Sequence, residues 1–508
     1  MKNFQAIAWC DRTMAFSLYA LIWFIPISIA FVESFFGLAL LAFWIKRLFQ
    51  ISLTLKNSSQ GRGLTLSHRI QLFISLFVPV ESVLNRPIAV FILAGFLSIF
   101  VSEYKALSIQ GFFFKLLEWT FLYFIFIEAI NHKRRLKIFI GVFFLSALLI
   151  CINGLIQQIT GREFIWGSEM GLGRVSSSFR HPNDFGGYLV VVLPLLFSFL
   201  YVYRKGRRVQ GRFEQEVSSQ EDRTWQFFRW AAWGLFLLAA LCMGFTYSRG
   251  AWLAFFLGLV FLGLQKPKYI LFPLGFVIIF TAIFSSGLEE KRRLGLFTDQ
   301  LSPRMEDLNM QAQKAMAEAR NPQSQRLTKE AAAEPTKERS ATPGSAPEPS
   351  SSEKSNFKKF FLSFVKKYSG SGRSLYWRDS FSLIRNSPWL GIGINTYSQV
   401  SMEKKLAWGG YPHNCYLQLT AEMGLMGLIS FIWIMGTLFR FALRRSRQIR
   451  DPFLYTVLWG GMAGLLSFLA QSSVDTNFYS VQLGNLMWLA LGMIVSSIQI
   501  YDRSQNQK

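Results

Sequence analysis

The chain has 508 residues, of which 51% are hydrophobic and 16% aromatic, and its 54 Lys and Arg outweigh 30 Asp and Glu to give a formal net charge of +24. This composition excludes an ordinary soluble domain. It also argues against a nucleic-acid partner, because the basic residues fall in short clusters between apolar runs rather than on one continuous face. We therefore expect an all-α polytopic membrane protein whose basic clusters set its orientation.

The cysteines and the N-terminal segment carry little further signal. Cys10, Cys151, Cys242 and Cys415 show no CxxC or His/Cys spacing, so we expect free thiols and no metal site. The first apolar run lacks a convincing small-residue cleavage site. We interpret it as an uncleaved first membrane span.

Apolar runs long enough to cross about 30 Å of hydrocarbon predict about twelve transmembrane helices. Their approximate bounds are 14–32, 35–50, 87–102, 111–130, 138–159, 183–203, 229–247, 250–265, 268–285, 414–438, 452–472 and 480–500. The apolar run 70–80 is too short to span, and we expect it to be interfacial or re-entrant.

The basic clusters predict the topology. With the N-terminus inside, the clusters fall in cytoplasmic loops, which follows the positive-inside rule. They include Lys46 and Arg47, the group from Lys133 to Lys137, and the group from Arg440 to Arg450. Both termini are then cytoplasmic. Residues 1–285 hold helices 1–9, residues 413–508 hold helices 10–12, and a large outside loop, 286–412, lies between helices 9 and 10.

This loop contains a compositional break at about 301–355, which is rich in Ala, Glu, Pro and Ser and is expected not to fold alone. The loop then regains structure-forming residues. Trp377, Phe381 and Ile384 have helical spacing and predict an amphipathic helix on the outer membrane surface.

Cationic side chains stand before three helices that run from outside to inside. Arg174 and Arg180 precede the sixth helix, Arg249 precedes the eighth, and His413 precedes the tenth. Helix N-termini expose unpaired N–H groups and a partial positive charge, and guanidinium groups suit phosphate oxygens. If the three helices cluster in space, the sequence predicts an anion site on the outer face.

Each of these residues also has a plainer interpretation. Arg249 would snorkel at a helix end with Ser248 as N-cap. At least one of Arg174 and Arg180 would be an ordinary loop arginine, and His413 would be structural or solvated. These alternatives stay open on residue chemistry alone.

The tenth helix begins with a polar stripe formed by Asn414, Gln418 and Glu422, which recur every four residues. Glu422 is the one formal charge between residues 414 and 438. An intramembrane carboxylate either has a functional role or forms a buried pair with a neighbouring cation.

Three motifs carry a resemblance to a known family. His413-Asn414, nine residues and Gly424-Leu425-Met426-Gly427 match a His-Asn/Ser/Gln-x9-Gly-x-x-Gly pattern. Arg249-Gly250-Ala251-Trp252-Leu253 matches an Arg-x3-Leu pattern, and the block from Arg373 to Gly393 resembles the segment that precedes the histidine. In these motifs the chain resembles the O-antigen ligase family, closely over about 170–440. The insert at 301–355 departs from the usual loop of that family.

The resemblance implies twelve helices, cytoplasmic termini and a large periplasmic loop that covers the site. It further implies that a glycan moves from undecaprenyl diphosphate to a sugar hydroxyl of lipid A–core, at the periplasmic face of the bacterial inner membrane. No metal, nucleotide or other cofactor is expected. The implied partners are the lipid-linked donor, lipid A–core or another glycan acceptor, and membrane lipids.

Our mechanistic hypothesis assigns the cations to the donor. Arg180 and Arg249, together with Arg174 and Arg373, would hold the carrier diphosphate and stabilise the charge that grows as the glycosyl–phosphate bond breaks. His413 would act as general base on the acceptor hydroxyl, or else bind the diphosphate as imidazolium. A single direct displacement inverts the anomeric centre.

Asn414, Glu422 and Asp379 are the supporting candidates. The two carboxylates would orient His413 or the acceptor.

Two alternatives remain at this stage. A polysaccharide polymerase or a protein O-oligosaccharyltransferase of the same superfamily would use the same donor and differ in its acceptor. A membrane transporter would place ionisable residues near mid-membrane on several helices, often with internal repeats. We find no repeat, and the polar groups gather at one face.

Overall fold

The computed structural model describes residues 2–59, 80–201, 219–264, 373–404 and 410–506, together with residues 275 and 284. Within these ranges the regular structure is helical. One isolated antiparallel β-bridge joins Arg162 and Glu169. The loop insert 301–355 lies outside the described residues. So do the short run 70–80 and the predicted helix 268–285, apart from residues 80, 275 and 284.

The α-helices of the described ranges follow one another along the chain. They are α1 (Lys2–Phe24), α2 (Ile29–Ser59), α3 (Asn85–Val101), α4 (Lys105–Gly111), α5 (Glu118–Ala129), α6 (Lys133–Thr160), α7 (Pro182–Tyr201), α8 (Ser219–Phe245), α9 (Arg249–Gly263), α10 (Arg373–Asn386), α11 (Tyr397–Glu403), α12 (Cys415–Ser446), α13 (Pro452–Gln471) and α14 (Val481–Asn506). A π-helix, Phe112–Leu117, joins α4 to α5. Each predicted span other than 268–285 coincides with helical residues in this order.

Six of the described helices are long and apolar enough to cross a membrane, which makes this a membrane protein. They are Ile29–Thr54, Lys133–Thr160, Pro182–Leu200, Cys415–Ser446, Pro452–Gln471 and Val481–Asn506. Shorter apolar helices cover Asn85–Val101, Trp230–Phe245 and Arg249–Gly263. The count of twelve crossings and their orientation stay predictions.

The predicted bounds of the first two helices were wrong. The spans 14–32 and 35–50 appear instead as α1, which ends at Phe24, and α2, which begins at Ile29 and continues to Ser59. Pro26 explains the difference, because it has no N–H to donate and disfavours helical backbone in the residue before it. The chain turns at residues 25–28, where the N–H groups of Ile27 and Ser28 both donate to the carbonyl of Phe24.

Glycines allow the backbones of α7, α9 and α13 to approach closely. A β-carbon on Gly464 of α13 would lie 2.8 Å from the carbonyl oxygen of Val191 in α7. One on Gly258 of α9 would lie 3.1 Å from the carbonyl oxygen of Ala463. Small residues are typical of such contacts between membrane helices. The three helices therefore pack closely beneath the ends that carry the predicted site.

The helix bundle has two ends with different charge. At one end, α7, α9 and α12 begin, and Gln471 at the end of α13 donates to the carbonyl of Asn183 at 3.1 Å. We call this the site end. At the opposite end, Lys133 at the start of α6 pairs with Asp451, and Arg445 near the end of α12 pairs with Asp502. We call this the basic end.

Candidate functional site

The starts of α7 and α9 lie side by side at the site end. A β-carbon on Gly186, in the second turn of α7, would come within 2.9 Å of the Cβ of Ala251 in α9. It would also lie 3.5 Å from the Cβ of Ser248, the residue before α9. A larger residue at position 186 would push the two helix starts apart.

The loop 472–476, between α13 and α14, joins these two starts to that of α12. Val474 packs on Gly250, where a β-carbon would lie 2.7 Å from the Val474 Cγ2. The carbonyl of Ser472 accepts from the N–H of Cys415 at 2.9 Å, and the Cys415 thiol donates to the carbonyl of Asp475 at 3.1 Å. The three helix starts that follow the candidate cations therefore surround one loop.

Arg174 is half-buried and makes contacts within the protein. Its Nε donates to the carbonyl of Thr246 at 2.8 Å, and its Nη2 donates to the Asn183 side chain at 2.7 Å. The next residue, Val175, donates its N–H to the carbonyl of Phe245 at 3.1 Å. Arg174 thus connects the first turn of α7 to the turn before α9. Its observed contacts are those of a structural residue.

Arg180 and Arg249, in contrast, are exposed, and neither donates a hydrogen bond within the described part of the chain. Arg180 lies two residues before α7 and interacts electrostatically with Asp184 in its first turn. Arg249 is the first residue of α9, at the positive end of that helix dipole. Both guanidinium groups are available to an anion at the gathered helix starts.

His413 directly precedes the N-cap of α12. The cap is Asn414, whose side-chain oxygen accepts from the N–H groups of Tyr416 and Leu417, each at 3.0 Å. The supporting role predicted for Asn414 is thus accompanied by an observed structural one, because this cap fixes the backbone beside the imidazole.

The His413 side chain is 40% exposed, and its Nδ1 lies 3.8 Å from the Oδ1 of Asp475. This distance exceeds that of a hydrogen bond, and among the described residues Nδ1 is buried without a hydrogen-bond partner. Tyr376 of α10 packs edge-on against the imidazole with ring centroids 5.8 Å apart. A small movement would bring the imidazole and carboxylate into contact.

Asp475 was not singled out from the sequence. It is 8% exposed, its Oδ1 accepts from the N–H of Thr476 at 2.9 Å, and it interacts electrostatically with Asp184. The sequence feature that could have identified it is its position, since it is an acidic residue in the short segment between the predicted eleventh and twelfth helices. Arg180, Asp184, Asp475 and His413 form a sequence of charged or ionisable groups across the site end.

Backbone strain accompanies the candidate residues. Of the described non-glycine residues, Ser177, Tyr247, Asn395 and His413 have positive φ angles, of 52°, 48°, 64° and 47°. Ser177 lies three residues before Arg180, and Tyr247 lies two before Arg249. Such conformations are uncommon and persist where the surroundings impose them, often at functional sites.

Glu422 does not contact His413. Its carboxylate accepts from the N–H of Asn395 at 2.9 Å and of Tyr397 at 3.2 Å, and from the side chain of Gln418 at 3.3 Å. It also interacts electrostatically with Lys115. Glu422, at 1% exposure, therefore anchors the loop residues 395–397 to α12.

Asp379, the other supporting carboxylate, is 7% exposed and lies 3.7 Å from the Nε of Arg378. It interacts with Tyr397, whose pKa is raised to about 12, chiefly by burial and further by the Asp379 and Glu422 carboxyl groups, while the hydrogen bond between the Tyr397 and Ser380 hydroxyls acts in the opposite direction. Neither of the two predicted carboxylates is the one that approaches His413 in the described structure.

The helix α12 is broken at Gly424, which has φ 66° and ψ −171°. The loop segment 388–393 pairs with both sides of the break. Ile392 and Gly393 donate to the carbonyls of Ala421 and Glu422 at 2.9 and 3.0 Å, and Leu425 donates to the carbonyl of Pro388 at 2.8 Å. The loop segment is thus held on α12 at the break, about three helical turns from His413.

Arg373 is the first residue of α10. This helix lies against the segment before α12, because Trp377 Nε1 donates to the carbonyl of Pro412 at 2.9 Å and Tyr376 packs on His413. The start of α10 is therefore within one turn of residues that contact the candidate histidine or its neighbour.

The arrangement can bind an anion and move a proton. Exposed guanidinium groups and helix N-termini suit phosphate oxygens, while an imidazole beside a carboxylate suits acid–base chemistry. In the described part of the chain, no group of three or more His, Cys, Asp or Glu is arranged to hold a metal ion.

Comparison with known proteins adds one match. A family model described as O-antigen ligase matches residues 234–432. The matched range includes Arg249, Arg373 and His413 and leaves out Arg174, Arg180 and Asp475. No curated protein matches the chain.

Proposed function

Because the chain belongs to the O-antigen ligase family, we propose that it is a glycosyltransferase that moves a glycan from undecaprenyl diphosphate to a sugar hydroxyl of lipid A–core. The observation that supports this best is the meeting of exposed Arg180 and Arg249 with His413 at one cluster of helix starts. In this proposal the site end faces the periplasm of a bacterial inner membrane.

The donor diphosphate lies between the starts of α7 and α9. Arg180 and Arg249 bind its oxygens, and the N–H groups and dipoles of the two helix starts add to the positive potential. Arg174 holds these starts together, and Arg373 is proposed as a further contact from α10. As the glycosyl–phosphate bond breaks, negative charge grows on the leaving oxygen, which the guanidinium groups stabilise.

His413 is the general base. It takes the proton from the acceptor hydroxyl while the hydroxyl oxygen attacks the anomeric carbon. The bond from that carbon to the phosphate oxygen breaks, and undecaprenyl diphosphate leaves with the electron pair. One displacement of this kind inverts the anomeric centre. Asp475 positions the imidazole and stabilises the imidazolium that forms.

The supporting residues act at a distance from the reacting atoms. Asn414 fixes the backbone after His413, and Glu422 holds the loop 395–397 on α12. Asp379 interacts with Tyr397, which belongs to the same loop region. In this proposal the three residues fix the segments that surround the histidine.

The test uses the full chain purified in detergent with an undecaprenyl-diphosphate-linked glycan and lipid A–core. We expect glycan transfer in the wild type and its loss in His413→Ala and Arg249→Ala. The exposed His132 and Arg385, changed to alanine, are the matched controls and should leave transfer unchanged. Normal transfer in both site variants would contradict the assignment.

The acceptor in the same assay separates the related functions. Extension of the lipid-linked glycan in place of transfer to lipid A–core would indicate a polymerase, and transfer to a protein would indicate an O-oligosaccharyltransferase. Because detergent leaves no sealed compartment, turnover there also excludes a function that is transport alone.

A further inference from the structure

The cations of the basic end form two clusters that differ in neutralisation. In the first, Lys46 lies 2.6 Å from Asp11 and 2.7 Å from Glu128, and Arg47 lies 2.7 Å from Glu128. Two cations thus meet two carboxylates in the packed interior between α1, α2 and α5. This cluster has no charge left for a ligand.

The second cluster has a large excess of positive charge. It comprises seven cations at the start of α6 and around the turn between α12 and α13, which we call the basic patch: Lys133, Arg134, Lys137, Arg444, Arg445, Arg447 and Arg450. Two of these cations form ion pairs with carboxylates: Lys133 with Asp451 and Arg445 with Asp502. The other five cations are exposed.

Contacts between the helices hold the patch together. The pair of Lys133 and Asp451 joins the start of α6 to the start of α13, and the Lys137 ammonium lies 5.7 Å from the ring centroid of Phe453. Ile449, between the exposed Arg447 and Arg450, is 5% exposed and fixes the turn. The cations therefore belong to one ordered surface.

The start of α6 adds to the positive potential. Its first turn contains no acidic residue, and His132 makes no side-chain cap. Unpaired N–H groups of a helix start and cations of the first turn then act together on an anion. Most helix starts avoid this combination, which costs stability unless an anion balances it.

The patch borders an apolar surface that a membrane would cover. Directly after it, Ile138 of α6 is 42% exposed, and just before it Leu443 of α12 is 40% exposed. Both belong to helices long and apolar enough to span the membrane. The cations therefore lie at the level of lipid headgroups.

We propose that the basic patch binds the phosphate of an anionic phospholipid, whose acyl chains lie along α6 and α12. Guanidinium groups bind phosphate oxygens through paired hydrogen bonds, and basic pockets between membrane helices bind headgroups with more than one phosphate. This site is at the opposite end of the bundle from the proposed glycosyltransferase site and does not depend on it.

The test measures lipid bound to the purified full chain by native mass spectrometry, with cardiolipin, phosphatidylglycerol and phosphatidylcholine as probes. We expect cardiolipin to be retained at least about tenfold better than phosphatidylcholine. The variants are Arg444→Gln/Arg447→Gln/Arg450→Gln and, on the other helix, Arg134→Gln/Lys137→Gln. Each removed cation should weaken cardiolipin retention about fivefold.

The control is Arg385→Gln, which removes an exposed cation from the site end and should leave lipid retention unchanged. Far-UV circular dichroism and the thermal midpoint verify that each variant is folded. Equal retention of cardiolipin and phosphatidylcholine by the wild type would overturn the proposal. So would unchanged cardiolipin retention in both folded patch variants.

Discussion

The two ends of the bundle use positive charge differently. At the basic end, cations are abundant, and the charges of Lys46 and Arg47 are neutralised by Asp11 and Glu128 in a packed cluster. At the site end, cations are few, and Arg180 and Arg249 are exposed without hydrogen bonds from the described residues. The few exposed cations beside strained backbone are assigned to the proposed diphosphate site, whereas the excess cations of the basic patch are assigned to lipid headgroups.

Carboxylates show the same contrast. Asp451, at the basic end, caps α13 through the N–H of Leu454 at 3.0 Å and pairs with Lys133. Asp475, at the site end, approaches the imidazole of His413 without a hydrogen bond to it. The first carboxylate caps a helix and pairs with a cation, whereas the second also lies next to an imidazole, where it can stabilise a proton on the histidine.

Loss of one exposed arginine should separate the two ends most strongly. We expect Arg249→Gln to lower the transfer rate about 10²- to 10³-fold, because it removes a group that stabilises the leaving phosphate. Arg447→Gln, which removes an exposed cation at the basic end, should retain wild-type transfer. Initial rates of glycan transfer in detergent measure both, and equal effects would remove the distinction between the ends.

The two aspartates should differ in what they change. We expect Asp475→Asn to lower kcat about 10- to 100-fold and to alter the pH profile of transfer, because the imidazolium loses its charged partner. Asp475→Glu should restore part of the rate. Asp451→Asn, in contrast, should lower the thermal midpoint and leave the pH profile of transfer as it is. An unchanged profile in Asp475→Asn would exclude the positioning role.

The break in α12 allows a matched pair of glycine substitutions. Gly424→Ala places a β-carbon 2.1 Å from the carbonyl oxygen of Trp389, at a φ of 66° that alanine disfavours. We expect a loss of about 1–3 kcal/mol in stability, seen as a lower thermal midpoint. Gly436, in the same helix, has no atom within 4 Å of an added β-carbon, so Gly436→Ala should be neutral or slightly stabilising. A neutral Gly424→Ala would show that the break is not needed.

The smallest effect is expected at Glu422. The N–H groups of Asn395 and Tyr397 bond to different oxygens of the Glu422 carboxylate. Glu422→Gln replaces one of these oxygens with an NH2 group, so one of the two hydrogen bonds is lost, for a loss of about 1 kcal/mol. The thermal midpoint should fall, while the pH profile of transfer stays as in the wild type. A changed profile would return Glu422 to the residues that act on His413.

Much of this organisation could be predicted from residue order. Apolar runs predicted where most of the described membrane helices lie, though not all of their bounds, because length and hydropathy govern membrane spans. The helix starts that follow Arg174, Arg249 and His413 were predicted to share one side, and the structure places them around one loop. Pro26 carried enough information to correct the first two spans, since a turn there is what proline favours.

Long-range packing could not be predicted in the same way. Asp475 lies 62 positions after His413, and no spacing in the sequence relates them. The break at Gly424 depends on loop residues 388–393 lying beside it, and the spacing of the motif glycines does not reveal this contact. Glu422 was interpreted as a partner for a cation or for His413, while backbone N–H groups from that same loop occupy its carboxylate.

Binding of undecaprenyl diphosphate without its glycan tests the central claim most directly. Its affinity for the purified full chain can be measured with the wild type, Arg180→Gln, Arg249→Gln and His413→Ala, with undecaprenyl monophosphate as the comparison ligand. We predict that each arginine variant binds the diphosphate at least about tenfold more weakly, while His413→Ala binds it as the wild type does. Unchanged binding in both arginine variants would contradict the assignment of the site end as the diphosphate site.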